Sequence, residues 1–176
     1  MALRDIRKKG IVPEALNSLM ARLGSNKPVD LKSDLDAIAD NFDLSQFGPA
    51  PTKFDMEDLF PLTARHLQTL SISDVMQNVK DLGVPEGLAE EFWTVVKDNI
   101  CTLKDLAGWW SLCSKGADPV IAPENVEFVS QAMALLPDGP YNSETWFNWT
   151  STVRQATGRT GRELFMPCLL YTSPSP

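Results

Sequence analysis

An all-α fold is predicted from three features of the chain. Apolar residues recur at helical spacing in one segment after another. Those segments are bracketed by prolines, capping residues and glycines. No run alternates at strand period, and DPVIAP and FDLSQF are too short to build a sheet. Helices of roughly three or four turns joined by Pro/Gly loops are therefore expected.

The elements follow in order. GIVPEALNSLMARLG places Pro13 at a first helical position and Gly24 just past the end, with Leu16, Leu19, Met20 and Leu23 as its stripe. TARHLQTL reads as helix interior. SISD opens a helix on a capping-box pair, Ser71 and Asp74, with Val75, Val79 and Leu82 in line before Gly83. PEGLAEEFWTVVKDN repeats the plan with Leu88, Phe92, Val95 and Val96. TLKDLAGWWSLC starts on a second pair, Thr102 and Asp105, with Leu103, Leu106, Trp110 and Cys113 aligned. PENVEFVSQAMALLP carries Val126, Val129, Met133 and Leu136. SETWFNWTSTVRQATG offers Trp146, Trp149 and Val153 before Gly158. The longest irregular segment, residues 42–55 with Gly48, Pro49 and Pro51, is the expected boundary between an N-terminal helical piece and the rest. A softer boundary is expected at residues 114–120. No repeat of solenoid length is present.

Composition bounds the class. An apolar share of 43% with five Trp and eight Phe excludes a disordered chain. No apolar stretch reaches the ~20 residues that span a bilayer. MALRDIRKKG has charge but no apolar stretch behind it, so a signal peptide is not expected and a soluble, cytoplasmic chain is. Cys101, Cys113 and Cys168 suit neither a disulfide framework nor a zinc site. His66, the single histidine, reads as structural.

The net charge of −7 is unevenly spread. Arg4, Arg7, Lys8 and Lys9 face one acid, Asp5, near the N-terminus. Arg154, Arg159 and Arg162 face one acid, Glu163, near the other end. The middle is strongly acidic. A polyanion would be attracted to the two ends and repelled between them.

No phosphate-binding loop, dinucleotide fingerprint, zinc-protease helix or nucleophile elbow is found, so no catalytic residue is expected. Trp110, in line with Leu106, reads as core. Trp109, one position round, is the better candidate for a partly exposed face that stacks on bases. Trp93, Trp146 and Trp149 read as packing residues.

Four blocks then resemble one family in the right order: LRDIRKKGIVPEALNSLMARLG, FDLSQFGPAPTKFD, DNICTLKDLAGWW and TGRTGRELFMP. Each is similar to a block of bacterial glutamyl-tRNA synthetases, the second in its alphaproteobacterial form, and together they span residues 3–167. The resemblance implies a C-terminal piece of a class I synthetase lying beyond its K-M-S-K-S-type loop. Residues 1–50 would be part of the stem-contact region, 51–114 a first helical anticodon-binding subdomain, and 115–167 a second, truncated one. ATP and Mg would be bound by the catalytic Rossmann domain of the parent, with no cofactor or metal in this piece. The partners implied are tRNA-Glu and that catalytic domain, with no membrane, and the protein would be a monomer. Arg4, Arg7, Lys8 and Lys9 would contact phosphates on the inner side of the tRNA, and Arg154, Arg159 and Arg162 phosphates near the anticodon arm. Where some family members place an anticodon-reading arginine this chain has Asn99, which leaves charging of tRNA-Gln open. Thr102 and Trp109 complete the set of candidate RNA contacts. A stand-alone helical RNA-binding or protein-interaction module is the alternative. After LFMP the family pattern gives way to CLLYTSPSP, so residues 168–176 are expected to be a non-native tail and Met1 a doubtful start.

Overall fold

The computed structural model describes residues 2–116 and 121–172. Among the described residues ten α-helices follow one another: α1 (Leu3–Lys8), α2 (Pro13–Met20), α3 (Leu35–Asp40), α4 (Leu59–Thr69), α5 (Ile72–Asp81), α6 (Ala89–Val96), α7 (Leu106–Lys115), α8 (Val126–Ala134), α9 (Thr145–Thr157) and α10 (Gly161–Thr172). Among the described residues the only extended pairing outside the helices is a single bridge between Ser25 and Phe47. The all-α expectation holds. The chain divides into two compact units between Trp110 and Ser111.

In the first unit α4 supplies residues to two apolar clusters. Leu59 and Leu62 pack with Ile6, Ile11, Ala15 and Leu19 from α1, α2 and the turn between them. Leu67, further along the same helix, packs with Val75, Val79, Val84, Ala89, Phe92, Trp93, Val96, Ile100 and Leu106. Val12 touches both clusters. Full burial of each Val, Leu or Phe contributes about 1.5–3 kcal/mol, so this packing, rather than helix propensity, holds such short helices. Trp93 keeps its one donor satisfied by bonding Leu70 O through Nε1 at 3.1 Å.

Capping follows the sequence signals. Asp74 Oδ2 accepts from the Ser71 amide at 2.8 Å and from its hydroxyl at 2.7 Å. The Ser71 hydroxyl, then its amide, hold the Asp74 carboxyl below the usual carboxylate range. Two six-residue helices, α1 and α3, are too short to carry a stripe. The first is anchored by buried Ile6, and the second buries nothing and is capped by Asp34, whose Oδ1 accepts from the Ala37 amide at 2.7 Å. The 42–55 segment is tied to the loop after α2, with Gly48 N donating to Gly24 O at 3.2 Å and Arg22 Nη1 to Gln46 Oε1 at 3.2 Å. Both sides of it lie in the first unit.

The register of several helices differs from expectation. Met20, Leu88, Val95 and Val126 are exposed, and so is Cys113. The buried faces instead run through Ala15, Ala89 and Ala132, each no more than 2% exposed. On α6 the buried set is Ala89, Phe92, Trp93 and Val96, a full i, i+3, i+4, i+7 face. Leu88 misses it because it sits in the 3-10 turn Glu86–Leu88, before the α-helix begins.

The described residues of the second unit form one buried cluster, Phe128, Val129, Ala132, Trp149, Val153, Leu164 and Cys168, drawn from α8, α9 and α10. Trp149 Nε1 donates to Ala132 O at 2.7 Å inside it. Cys168 is buried on α10 and burial pushes its thiol pKa up. Of the segment expected to be a tail, residues 168–172 continue α10, and 173–176 lie outside the described residues. So do residues 117–120 of the second expected boundary.

Candidate nucleic-acid interface

The basic N-terminal cluster is built on α1. The Ala2 amide donates to Asp5 Oδ2 at 3.0 Å, which uses the one acid of the segment to close the first turn. Ile6 turns inward. Arg4, Arg7 and Lys8, at i, i+3 and i+4, are left exposed on the opposite side, with Lys9 exposed at the C-cap. The ion pairs among the described residues are Lys32–Asp30, His66–Glu14 and Lys80–Glu86. None engages these four cations.

The chain leaves α1 through Gly10, whose φ of +87° lies in the left-handed region that favours glycine. A β-carbon there would stand 3.0 Å from Thr102 Cβ. Thr102, expected as an RNA contact, is 4% exposed and forms the floor under this turn. Its amide and that of Cys101 both donate to Asp105 Oδ2, at 2.8 and 2.9 Å. The 3-10 turn Leu103–Asp105 is thus pinned against the end of α1. Lys104, exposed on that turn, donates from Nζ to Lys8 O. No spacing rule signals this contact, because the two residues are 96 positions apart.

Asn99 is exposed at the end of the 3-10 turn Lys97–Asn99, and its Nδ2 donates to Val95 O at 3.3 Å. Trp109 and Trp110 are both half-buried against the main cluster. Trp110 meets the Phe92 ring edge-on, with centroids 5.5 Å apart and planes at 77°. His66 is half-buried with Nε2 3.7 Å from Glu14 Oε2, a contact between α4 and α2.

In the second unit the three arginines differ. Arg154 on α9 and Arg162 on α10 are exposed. Arg159, between the helices, is half-buried, with its guanidinium 4.2 Å over the Phe128 ring and Nη1 donating to Asn125 Oδ1 at 2.9 Å. Its charge is engaged within the fold. Among the described residues no group of three His, Cys, Asp or Glu side chains could hold a metal ion, and no helix is long and apolar enough to cross a membrane.

No protein-family model matches the chain. Its sequence is 57% identical over 167 residues to glutamate–tRNA ligase 2 of Ruegeria sp. strain TM1040, covering 95% of this chain and 38% of that protein. It is 56% and 55% identical, with the same coverage, to glutamate–tRNA ligase 1 of Ruegeria pomeroyi and of Cereibacter sphaeroides. The chain thus spans well under half the length of these relatives. The fold is similar to crystal structures of glutamate–tRNA ligases from Elizabethkingia anophelis and Elizabethkingia meningosepticum, with TM-scores of 0.62 and 0.63 at 19% identity. These matches cover 93% and 96% of this chain and 35% and 37% of the others. With curated relatives this similar along 95% of its residues, the chain belongs to the glutamate–tRNA ligase family as a C-terminal segment of its alphaproteobacterial branch.

Proposed function

We propose that this chain is the tRNA-binding C-terminal part of a ligase that attaches glutamate to tRNA using ATP. The observation that carries the reading is the unpaired cationic face of α1, in a segment that is more than half identical to such ligases. Exposed Arg and Lys side chains without acidic partners gain most from phosphates, which they neutralise with release of condensed counterions. Arg4, Arg7, Lys8 and Lys9 would position the RNA without reading its sequence, and Arg154 and Arg162 would do so from the second unit. Thr102 and Arg159 serve by holding the surfaces that carry these groups. Half-buried Trp109 would contribute only the part of its side chain left accessible. ATP and Mg belong to the catalytic part of the parent, so the chain alone neither activates nor transfers glutamate. It acts as a monomer in the cytoplasm, beside that catalytic part.

The test is binding of a tRNA-Glu transcript to the 176-residue chain across a salt series. A slope of log K against log salt of about −4 to −5 is expected for six phosphate contacts. A slope near zero would remove the reading. Asn99 carries a finer one. An amide both donates and accepts but lacks the charge and fork of an arginine, so discrimination between tRNA-Glu and tRNA-Gln is relaxed in the parent. Comparable charging of both tRNAs by the complete enzyme is expected, and strict rejection of tRNA-Gln would defeat it.

A further inference from the structure

The contact between Lys104 and α1 adds a residue to the phosphate-binding surface that its surroundings in the sequence conceal. Lys104 lies in the acidic middle of the chain, between Asn99, Thr102 and Trp109, and is not itself among the candidate RNA contacts. Resting on the reading of α1 as a phosphate surface, we infer that Lys104 is a fifth cation of that surface, donated by the Leu103–Asp105 turn.

Three observations converge on it. Lys104 Nζ reaches Lys8 O, so its ammonium sits at the backbone of the residue between Arg7 and Lys9. That carbonyl is in the last turn of α1, where the unsatisfied C=O groups concentrate partial negative charge and attract a cation. An ammonium has three N–H donors and this carbonyl uses one, so two remain on an exposed side chain. Lys104 is in none of the ion pairs among the described residues, and the Oδ2 of neighbouring Asp105 accepts from the Cys101 and Thr102 amides. The turn is held in place by Thr102 beneath Gly10. Lys104 therefore does two things with one side chain. It fastens the end of α1, and it brings a positive charge to the same phosphates that α1 faces.

The two roles separate by substitution. In Lys104→Gln the side-chain amide keeps an N–H donor for Lys8 O but carries no charge. The salt dependence of tRNA-Glu transcript binding would be measured for the unaltered chain, Arg7→Ala, Lys104→Ala, Lys104→Gln and Lys104→Arg, with circular dichroism as the check on folding. Loss of one phosphate contact lowers the salt slope by about one. The expected result is a slope smaller by about one in Arg7→Ala, Lys104→Ala and Lys104→Gln, and an unchanged slope in Lys104→Arg. A full slope in Lys104→Gln overturns the inference and leaves Lys104 as a fastener only, while the fall in Arg7→Ala keeps the α1 reading intact. A flat salt response in the unaltered chain would instead sink that reading and this inference with it.

Discussion

The end of α1 and the loop between α9 and α10 both present arginines on short helical scaffolds, yet the two regions use them differently. In the first unit the inward anchor is an isoleucine, Ile6, so Arg4, Arg7, Lys8 and Lys9 are all left to solvent. In the second unit Arg154 and Arg162 are likewise exposed, but Arg159 packs beside the buried cluster. Arg159 covers Phe128 with its guanidinium and ties down Asn125. Whether a cation is engaged therefore depends on the ring and amide its own position brings within reach, and basic residues counted along a sequence are not equivalent.

The contrast can be broken most forcefully at the cores. Trp149→Ala removes the largest side chain of the second unit's cluster and its hydrogen bond to Ala132 O, and should cost about 3–5 kcal/mol in denaturant unfolding. Leu67→Ala, in the better-filled first unit, should cost about 2–5 kcal/mol. A loss below about 1 kcal/mol at Trp149 would show that the small cluster does not depend on it.

Gly10→Ala should follow, at about 1–3 kcal/mol, because the new methyl meets Thr102 at a φ that L-residues rarely adopt. Stability equal to that of the unaltered chain would mean the turn can relax, and the pinning of the Leu103–Asp105 segment would lose its support.

The arginines themselves sharpen the comparison at smaller scale. Arg159→Ala should lower stability by about 1 kcal/mol, from the lost ring contact and hydrogen bond. Arg154→Ala should stay within about 0.5 kcal/mol of the unaltered chain and instead reduce the salt slope of tRNA binding. The reverse pattern would exchange their roles.

The smallest effect is a dependence on acidity at the α5 cap. The folded Asp74 carboxyl is held below its ordinary value by Ser71, so it contributes stability at any pH above the unfolded carboxyl range. That contribution fades as pH falls through the depressed folded value. Asp74→Asn should therefore be less stable than the unaltered chain near neutrality, with the gap closing in acid. A gap that persists unchanged to strongly acidic pH would assign the cap another origin.

Much of this was legible in advance, and the failures share a cause. Helix starts at Pro13, Ser71 and Thr102 were readable because their signals act within four residues. The stripes depart from the structure where a large side chain stands beside an alanine. The spacing marks Leu16, Leu88 and Met133, whereas the alanines beside them, Ala15, Ala89 and Ala132, are the buried residues, with Leu16 and Met133 half-buried against the same clusters. A small side chain lets two helices approach closely, and the larger neighbours lie along the flanks or point away, as Leu88 does. Of the candidate RNA contacts, the α1 cations are accessible as anticipated, whereas the burial of Thr102 and the engagement of Arg159 follow from partners distant in the chain.

The sequence by itself determined the helical class, the capped starts, the segregation of charge and the kinship with glutamate–tRNA ligases. Each rests on local spacing or on blocks of consecutive residues, which a linear text preserves. Only the tertiary structure decided which face of each helix is buried, that α4 serves two clusters, and that Lys104 stands at the end of α1. Those outcomes depend on contacts between residues tens of positions apart, and packing chooses them by fitting volumes and satisfying polar groups that no local pattern records.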